Sequence, residues 1–245
     1  MRKPMDIEGQ AFIVTGAAKG IGLAISTLFH QLGARASGWD LDDSGMRDNP
    51  VFTDTQIVDV SDESQTRAGF AASLAALGDI DGIVANAGIN GPTKPLWDYS
   101  LDEWQSVISV DLTGVFLSVQ ASLHHLRARK RGRIIIISSV AGKEGNPGAV
   151  PYGAAKAGVI GFAKGLAREI LPSDITVNCI APSIAVTDLL DGMTDEYIAD
   201  KKSRIPMGRF CTPEEIANMA AFIASPACSF TTGQVFDVTG GRATW

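Results

Sequence analysis

Short apolar runs alternate with helical patterns from one end of the chain to the other. Ala11–Val14 contains no polar residue and predicts a buried strand, followed by a glycine-rich turn and a helix over Ile21–Leu32. Arg35–Trp39, Gln56–Val60 and Gly82–Ala85 predict the next strands, with a helix over Glu63–Leu77 before the last of them. A long helical stretch covers Ser100–Arg129 and leads to a strand over Arg133–Ser138. A helix rich in small residues spans Val150–Leu171. Strands at Ile175–Ala181 and Val235–Val238 flank a helical region over Pro213–Ser225. Strands that are apolar throughout, separated by helices, predict a parallel sheet covered on both faces. The expected fold is therefore α/β, a Rossmann-type doubly wound parallel sheet of about seven strands. Nothing resembling a linker interrupts the pattern, so residues 1–245 read as one domain. The least regular stretch, about 183–209, is expected to form a lid.

Composition narrows the class without changing the fold. Of 245 residues, 45% are hydrophobic and 20% charged, the balance of a soluble globular protein. A net charge of −6 without a basic stripe argues against nucleic acid as a partner. The one basic cluster, Arg127–Arg133, reads as a helix C-terminus whose cations complement the dipole. Cys179, Cys211 and Cys228 lack metal-ligand spacing, so no metal is expected, and their odd number suits a reducing cytoplasm. No signal-peptide pattern and no run near the roughly 18 apolar residues of a membrane span is seen, so no membrane partner is expected.

The first candidate chemistry lies at the first turn. Gly16, Gly20 and Gly22, with Lys19 and Ile21 between them, follow the first strand and open the first helix. Glycines let a pyrophosphate approach the backbone, and the helix N-terminus offers free N–H groups and a favourable dipole. The spacing is Gly-x-x-x-Gly-x-Gly, which differs from the Gly-x-Gly-x-x-Gly fingerprint. At the end of the second strand, Asp40 can accept hydrogen bonds from both ribose hydroxyls of NAD and would repel the extra phosphate of NADP. Lys19 is the dissenting residue, since a cation there suits a 2′-phosphate. NAD is the expected cofactor, with Leu41 among the residues expected to bind it. Asp59 and Val60 would flank the adenine, although Asp59 reads equally as a helix cap. Asn86, Ala87 and Gly88 end the fourth strand, where ligands bind in such sheets.

Tyr152 and Lys156 stand four apart on one helix face. An ammonium near a phenol favours phenolate over phenol, so Tyr152 is placed to take an alcohol proton as hydride leaves the carbon. Ser139, ending the preceding strand, can hydrogen-bond the same substrate oxygen.

In this order the glycine turn, Asn86–Gly88, Ser139, Tyr152/Lys156 and the segment from Pro182 to Thr187 resemble the short-chain dehydrogenase/reductase family, over about Gly9 to Arg242. The resemblance implies that Tyr152 is the general acid/base and that Ser139 positions the substrate oxygen. It implies that Lys156 supports Tyr152 and holds the nicotinamide ribose, and that Pro182, Ile184 and Thr187 contact the cofactor. Ser138 is a rival for the serine role, but the family's usual separation from the tyrosine favours Ser139. Two positions depart from the family pattern. Asp111 stands where an asparagine commonly supports a proton-relay water, and an ionised carboxylate cannot donate a hydrogen bond. Ser183 stands where glycine is usual after Pro182.

The resemblance also implies a homotetramer assembled through the Val150–Leu171 helix and the long helix before it. The segment after Ser139 carries Lys143, Glu144 and Asn146, which argues for a hydroxylated or carboxylated substrate, with Asn146 a substrate-contact candidate. The ending Thr239–Trp245 is similar to that of members acting on sugar acids, where Arg242 or Trp245 would reach a neighbouring subunit's site. NAD preference suits oxidation, so the expected reaction is oxidation of a sugar-derived secondary alcohol: a 2-keto-3-deoxy sugar acid, aldonate or polyol. The nearest rival is a 3-oxoacyl-thioester reductase, and a non-catalytic dinucleotide-binding regulator is the remote one.

Overall fold

A computed structural model describes residues 5–186 and 195–245. Seven parallel strands form one sheet in the order β3-β2-β1-β4-β5-β6-β7. They are β1 (Ala11–Thr15), β2 (Arg35–Asp40), β3 (Asp54–Ile57), β4 (Gly82–Ala85), β5 (Arg131–Ile137), β6 (Asp174–Pro182) and β7 (Val235–Val238). The helices are α1 (Gly20–Gln31), α2 (Glu63–Leu77), α3 (Leu101–Ile108), α4 (Gly114–Arg129), α5 (Ala141–Glu144), α6 (Val150–Glu169), α7 (Asp195–Ser203) and α8 (Pro213–Ala224). The expected doubly wound sheet is therefore present.

The layers follow from burial on both faces of the sheet. Phe12, Val14, Ile135 and Ile180 point to one side, where α1 and α8 cover them with Ile25, Phe29, Ile216 and Ala220. Ile13, Ile83, Ile134 and Val177 point to the other, under α2, α4 and α6. A strand buried on both faces cannot alternate apolar with polar residues, which is why β1, β4 and β5 read as continuous apolar runs.

Three elements differ from the sequence expectation. The edge strand β3 lies earlier, at Asp54–Ile57, and is half-exposed, so its sequence Asp-Thr-Gln-Ile carries no buried-strand pattern. The long helix is not uniform: a π-type turn over Ser109–Thr113 joins α3 to α4. The short helix α5 begins two residues after Ser139, in a segment where no helix was expected. Contrary to the expectation from apolar runs, Leu101–Arg129 is long and apolar enough by composition alone to span a membrane. In this fold it is a core helix, with Val115, Val119 and Leu126 buried against the sheet.

The basic cluster closes the opposite end of the sheet. Lys130 caps α4 in the left-handed conformation. Arg129 pairs with Asp79 and Asp81, and Arg133 with Asp174. These cations thus join strand starts besides complementing the helix dipole.

Candidate active site

The carboxyl ends of β1 and β4 face the point where the chain turns from one half of the sheet to the other. Gly16 and Gly20 both adopt positive φ, +63° and +56°, a region costly for side-chain-bearing residues. A Cβ on Gly22 would stand 2.1 Å from the Gly16 carbonyl oxygen, so α1 can enter the turn only with glycine there. Lys19 caps α1 without a side-chain hydrogen bond, and no acidic residue lies in the first turn. The first N–H groups of α1 therefore point from a side-chain-free cradle, the donor set that suits a phosphate.

Neighbouring strands hold this cradle in place. The Thr15 hydroxyl accepts from the N–H groups of Asn86 and Ala87, each at 2.9 Å. The Asn86 amide donates to the carbonyls of Thr15 and Gly16 at 2.9 and 3.1 Å. Asn86 thus locks the turn to β4. Asp40 accepts from Ala18 N–H at 3.0 Å through one oxygen and from Leu41 N–H at 2.8 Å through the other. Each carboxylate oxygen retains a further lone pair for a ribose hydroxyl. Leu41 is exposed beside it, and Lys19 is exposed on the turn. Asp59 accepts from the N–H and hydroxyl of Ser61, so it organises the turn before α2, whose N-cap is Asp62. Val60 is buried next to it.

Thr15 and Gly45 were not singled out in the sequence. A Cβ on Gly45 would lie 2.1 Å from the Ala18 carbonyl oxygen, so the segment after β2 packs directly on the glycine turn. The available signal for Thr15 was a hydroxyl at the end of an otherwise apolar strand.

The second group of residues forms where β5, α5 and α6 meet. Pro151 stands in the first turn of α6, where its missing N–H costs nothing. Ser138 donates to the Lys156 carbonyl at 2.8 Å, and Lys156 Nζ donates to the Ile137 carbonyl at 3.2 Å. A Cβ on Gly142 would meet the Lys156 carbonyl group at 2.6 Å. The end of β5 and the α6 backbone are therefore fastened together at Lys156. Ser138 is occupied by this fastening. Ser139 Oγ accepts from Ala141 N–H at 3.1 Å and keeps its own proton to donate.

Lys156 Nζ lies 5.6 Å from the centre of the Tyr152 ring, which places both side chains on one face of α6. From the other side comes Asp111, in the π-type turn and with no exposed surface. Its Oδ1 accepts from Ile89 N–H at 2.7 Å. Its Oδ2 lies 3.3 Å from Lys156 Nζ, an ion-pair distance without hydrogen-bond alignment. Burial pushes the Asp111 carboxyl above its ordinary range, against the opposing pull of the Lys156 charge and the Ile89 N–H. Gly88 fits between them: its Cβ would stand 3.1 Å from both Asp111 Oδ2 and Lys156 Nζ.

The remaining expected residues lie around this core. Pro182 ends β6, and Ser183 and Ile184 follow it; Ser183 N–H donates to Val238, and Ile184 accepts from Cys211 N–H. Ser183 is buried, and its hydroxyl has no partner among the described residues. Thr187 lies outside the described residues, as does part of the expected lid; the described part contains α7. Asn146 is half-buried beyond α5. Its neighbours are engaged elsewhere: Lys143 pairs with Asp237 at 2.9 Å, and Glu144 with Arg242 at 2.9 Å. The Trp245 ring lies 5.5 Å from Lys143 Nζ. The C-terminal residues thus brace their own chain's α5, and the polarity of Lys143 and Glu144 is explained by this brace.

A model of the family described as enoyl-(acyl carrier protein) reductase matches residues 16–243. The chain is 39% identical over 240 residues to a 2-dehydro-3-deoxy-L-rhamnonate dehydrogenase (NAD(+)) of Sphingomonas sp. (strain SKA58), covering 97% of this chain and 96% of that one. It is also 39% identical over 242 residues to a 3-oxoacyl-acyl-carrier-protein reductase of Chlamydia muridarum, covering 96% and 97%. Among solved structures, the 3-ketoacyl-acyl-carrier-protein reductase of Brucella melitensis complexed with NADH superposes with a TM-score of 0.91 at 28% identity, covering 97% and 99%.

Proposed function

The chain belongs to the short-chain dehydrogenase/reductase family of nicotinamide-dependent oxidoreductases acting on CH–OH groups, and from that premise we propose that it oxidises a sugar-derived secondary alcohol with NAD. The substrate class is a 2-keto-3-deoxy sugar acid, an aldonate or a polyol. Asp40 carries the cofactor choice: a carboxylate anchored to the glycine turn at Ala18 accepts from ribose hydroxyls and repels a 2′-phosphate. The sugar-acid relative, whose name specifies NAD, supports the same reading.

A bound nicotinamide ring supplies the hydride acceptor. The chain's residues handle the proton. Tyr152 takes the proton of the substrate hydroxyl as the C–H bond gives up its hydride. Ser139 donates its free O–H to that same oxygen and orients the alcohol. Lys156, fixed to the end of β5, stands beside the Tyr152 ring and would hold the nicotinamide ribose. Gly16, Gly20 and Gly22, with the N–H groups of Lys19 and Ile21, would hold the cofactor phosphates. Asn86–Gly88, Pro182 and Ile184 would border the ribose and nicotinamide of a bound cofactor, while Asp59 and Val60 would border its adenine.

The second reading, a 3-oxoacyl-thioester reductase, rests on a relative of equal identity with that activity. Initial rates of NADH or NADPH formation across sugar acids, aldonates, polyols and hydroxyacyl thioesters decide between them. NAD-linked oxidation of a sugar-derived alcohol is the expected result. Turnover of thioesters alone, or with NADP alone, overturns it. Replacing Asp40 with Ser should weaken NAD use by about tenfold to a hundredfold, the scale of a charged hydrogen bond, and raise NADP use.

We also propose a cytoplasmic homotetramer assembled through α6. Ala154, Ala157, Gly161 and Gly165 lie on its outward face, and nothing stands within 4 Å of a Cβ placed on either of these glycines. Light scattering showing a dilute monomer removes this assembly.

A further inference from the structure

Asp111 occupies an unusual position for a carboxylate. It is buried completely, its pairing partner among the described residues is Lys156, and Lys156 is the ammonium beside Tyr152. An uncharged amide would fill the same volume and still accept the Ile89 N–H. What the carboxylate adds is charge, placed where little water screens it.

We propose that Asp111 is a positioning residue that sets the working pH of this site: its negative charge offsets the Lys156 ammonium, so that Tyr152 gives up its proton at a higher pH than it would beside a neutral side chain of the same shape. The inference rests on the role proposed above for Tyr152, and it deepens that role.

Among the described residues no third charged group faces the Asp111–Lys156 pair. On α6 itself, Tyr152 and Lys156 face the site. From β6, Cys179 lies against α6, donating to the Val159 carbonyl, and burial pushes its thiol up to about 12, so it stays neutral. From the ends of β4 and β5 come Gly88, Ile89, Ser138 and the Ile137 carbonyl, none of them charged. From the π-type turn comes Asp111, while its neighbour Leu112 packs toward Gly158 of α6. Lys156 has a second anchor besides Asp111 in the Ile137 carbonyl, at 3.2 Å.

The test is an ultraviolet titration of tyrosinate in the full-length protein, with and without NAD. The chain has three tyrosines, and subtracting the Tyr152→Phe spectrum isolates the Tyr152 component. In Asp111→Asn this component should titrate about one pH unit lower than in the parent, the effect of removing one nearby charge at an effective dielectric of about 20. The rising limb of kcat/KM for alcohol oxidation should move by the same amount, while the thermal midpoint reports any purely structural effect. An unchanged or higher tyrosinate midpoint overturns the proposal. If the amide variant does not fold, Asp111→Ser, smaller and equally neutral, gives the same reading. The titration needs no substrate, so an error in the substrate class leaves it intact. If the Tyr152→Phe enzyme turned over normally, the Tyr152 role would fail independently of Asp111.

Discussion

The glycine turn after β1 and the cluster where β5, α5 and α6 meet lie at the same end of the sheet but are built from different materials. The turn consists of backbone: positive-φ glycines, open N–H groups and contacts too close for a Cβ. Side chains enter only to fasten it, through Thr15, Asn86 and Asp40. The second cluster consists of side chains from distant segments, with Ser139, Tyr152, Lys156 and Asp111 converging from three elements and their connections. A backbone site suits a ligand part that many enzymes share, because every residue has an N–H to offer. A side-chain site suits chemistry, because only side chains carry a phenol, an ammonium or a carboxylate.

This contrast can be broken from either side. The largest effect is expected from Tyr152→Phe, which removes a hydroxyl from the side-chain cluster and leaves the turn untouched. Turnover should fall by roughly 10²–10⁴-fold, the contribution of a positioned acid/base group, with NAD affinity retained in a fluorescence titration. Loss of NAD binding in this variant would mean that the two regions are not separable.

Gly22→Ala is the converse and ranks second. Its Cβ would stand 2.1 Å from the Gly16 carbonyl and 2.7 Å from the Asn86 amide nitrogen. Overpacking of this kind costs about 1–3 kcal/mol, visible as a lower thermal midpoint, and NAD binding should weaken in the same variant. Normal NAD affinity in a folded Gly22→Ala protein would show that the turn opens more readily than its contacts suggest.

Arg242→Ala probes the outermost layer of the second region and should have the smallest effect. The Arg242–Glu144 pair is partly exposed, and such a pair contributes at most about 1 kcal/mol. Stability should barely change. KM for the alcohol should rise, because α5 loses a brace next to Ser139, while KM for NAD stays constant. Equal rises in both constants would place the effect elsewhere.

Much of the first region was legible in the chain, because its determinants are local. A glycine at a given position reports a backbone requirement within a few residues, and Asp40 ends its strand in plain sight. The strands β1, β4 and β5 were equally legible, since burial on both faces demands an unbroken apolar run. The edge strand β3 was misplaced for the same reason in reverse: half-exposed, it obeys no such demand. The π-type turn was invisible because Leu101–Arg129 keeps a helical composition throughout.

The sequence by itself determined the order of elements, the glycine cradle, the carboxylate at the end of β2 and the Tyr152–Lys156 spacing, all set by neighbours a few positions apart. Tertiary structure alone decided that Asp111 faces Lys156, that Ser138 is spent on the α6 backbone, and that the C-terminus braces α5. Those contacts join residues far apart in the chain. They exist because parallel strands must be connected through helices, and that topology gathers the carboxyl ends of β1, β4, β5 and β6 along one edge of the sheet.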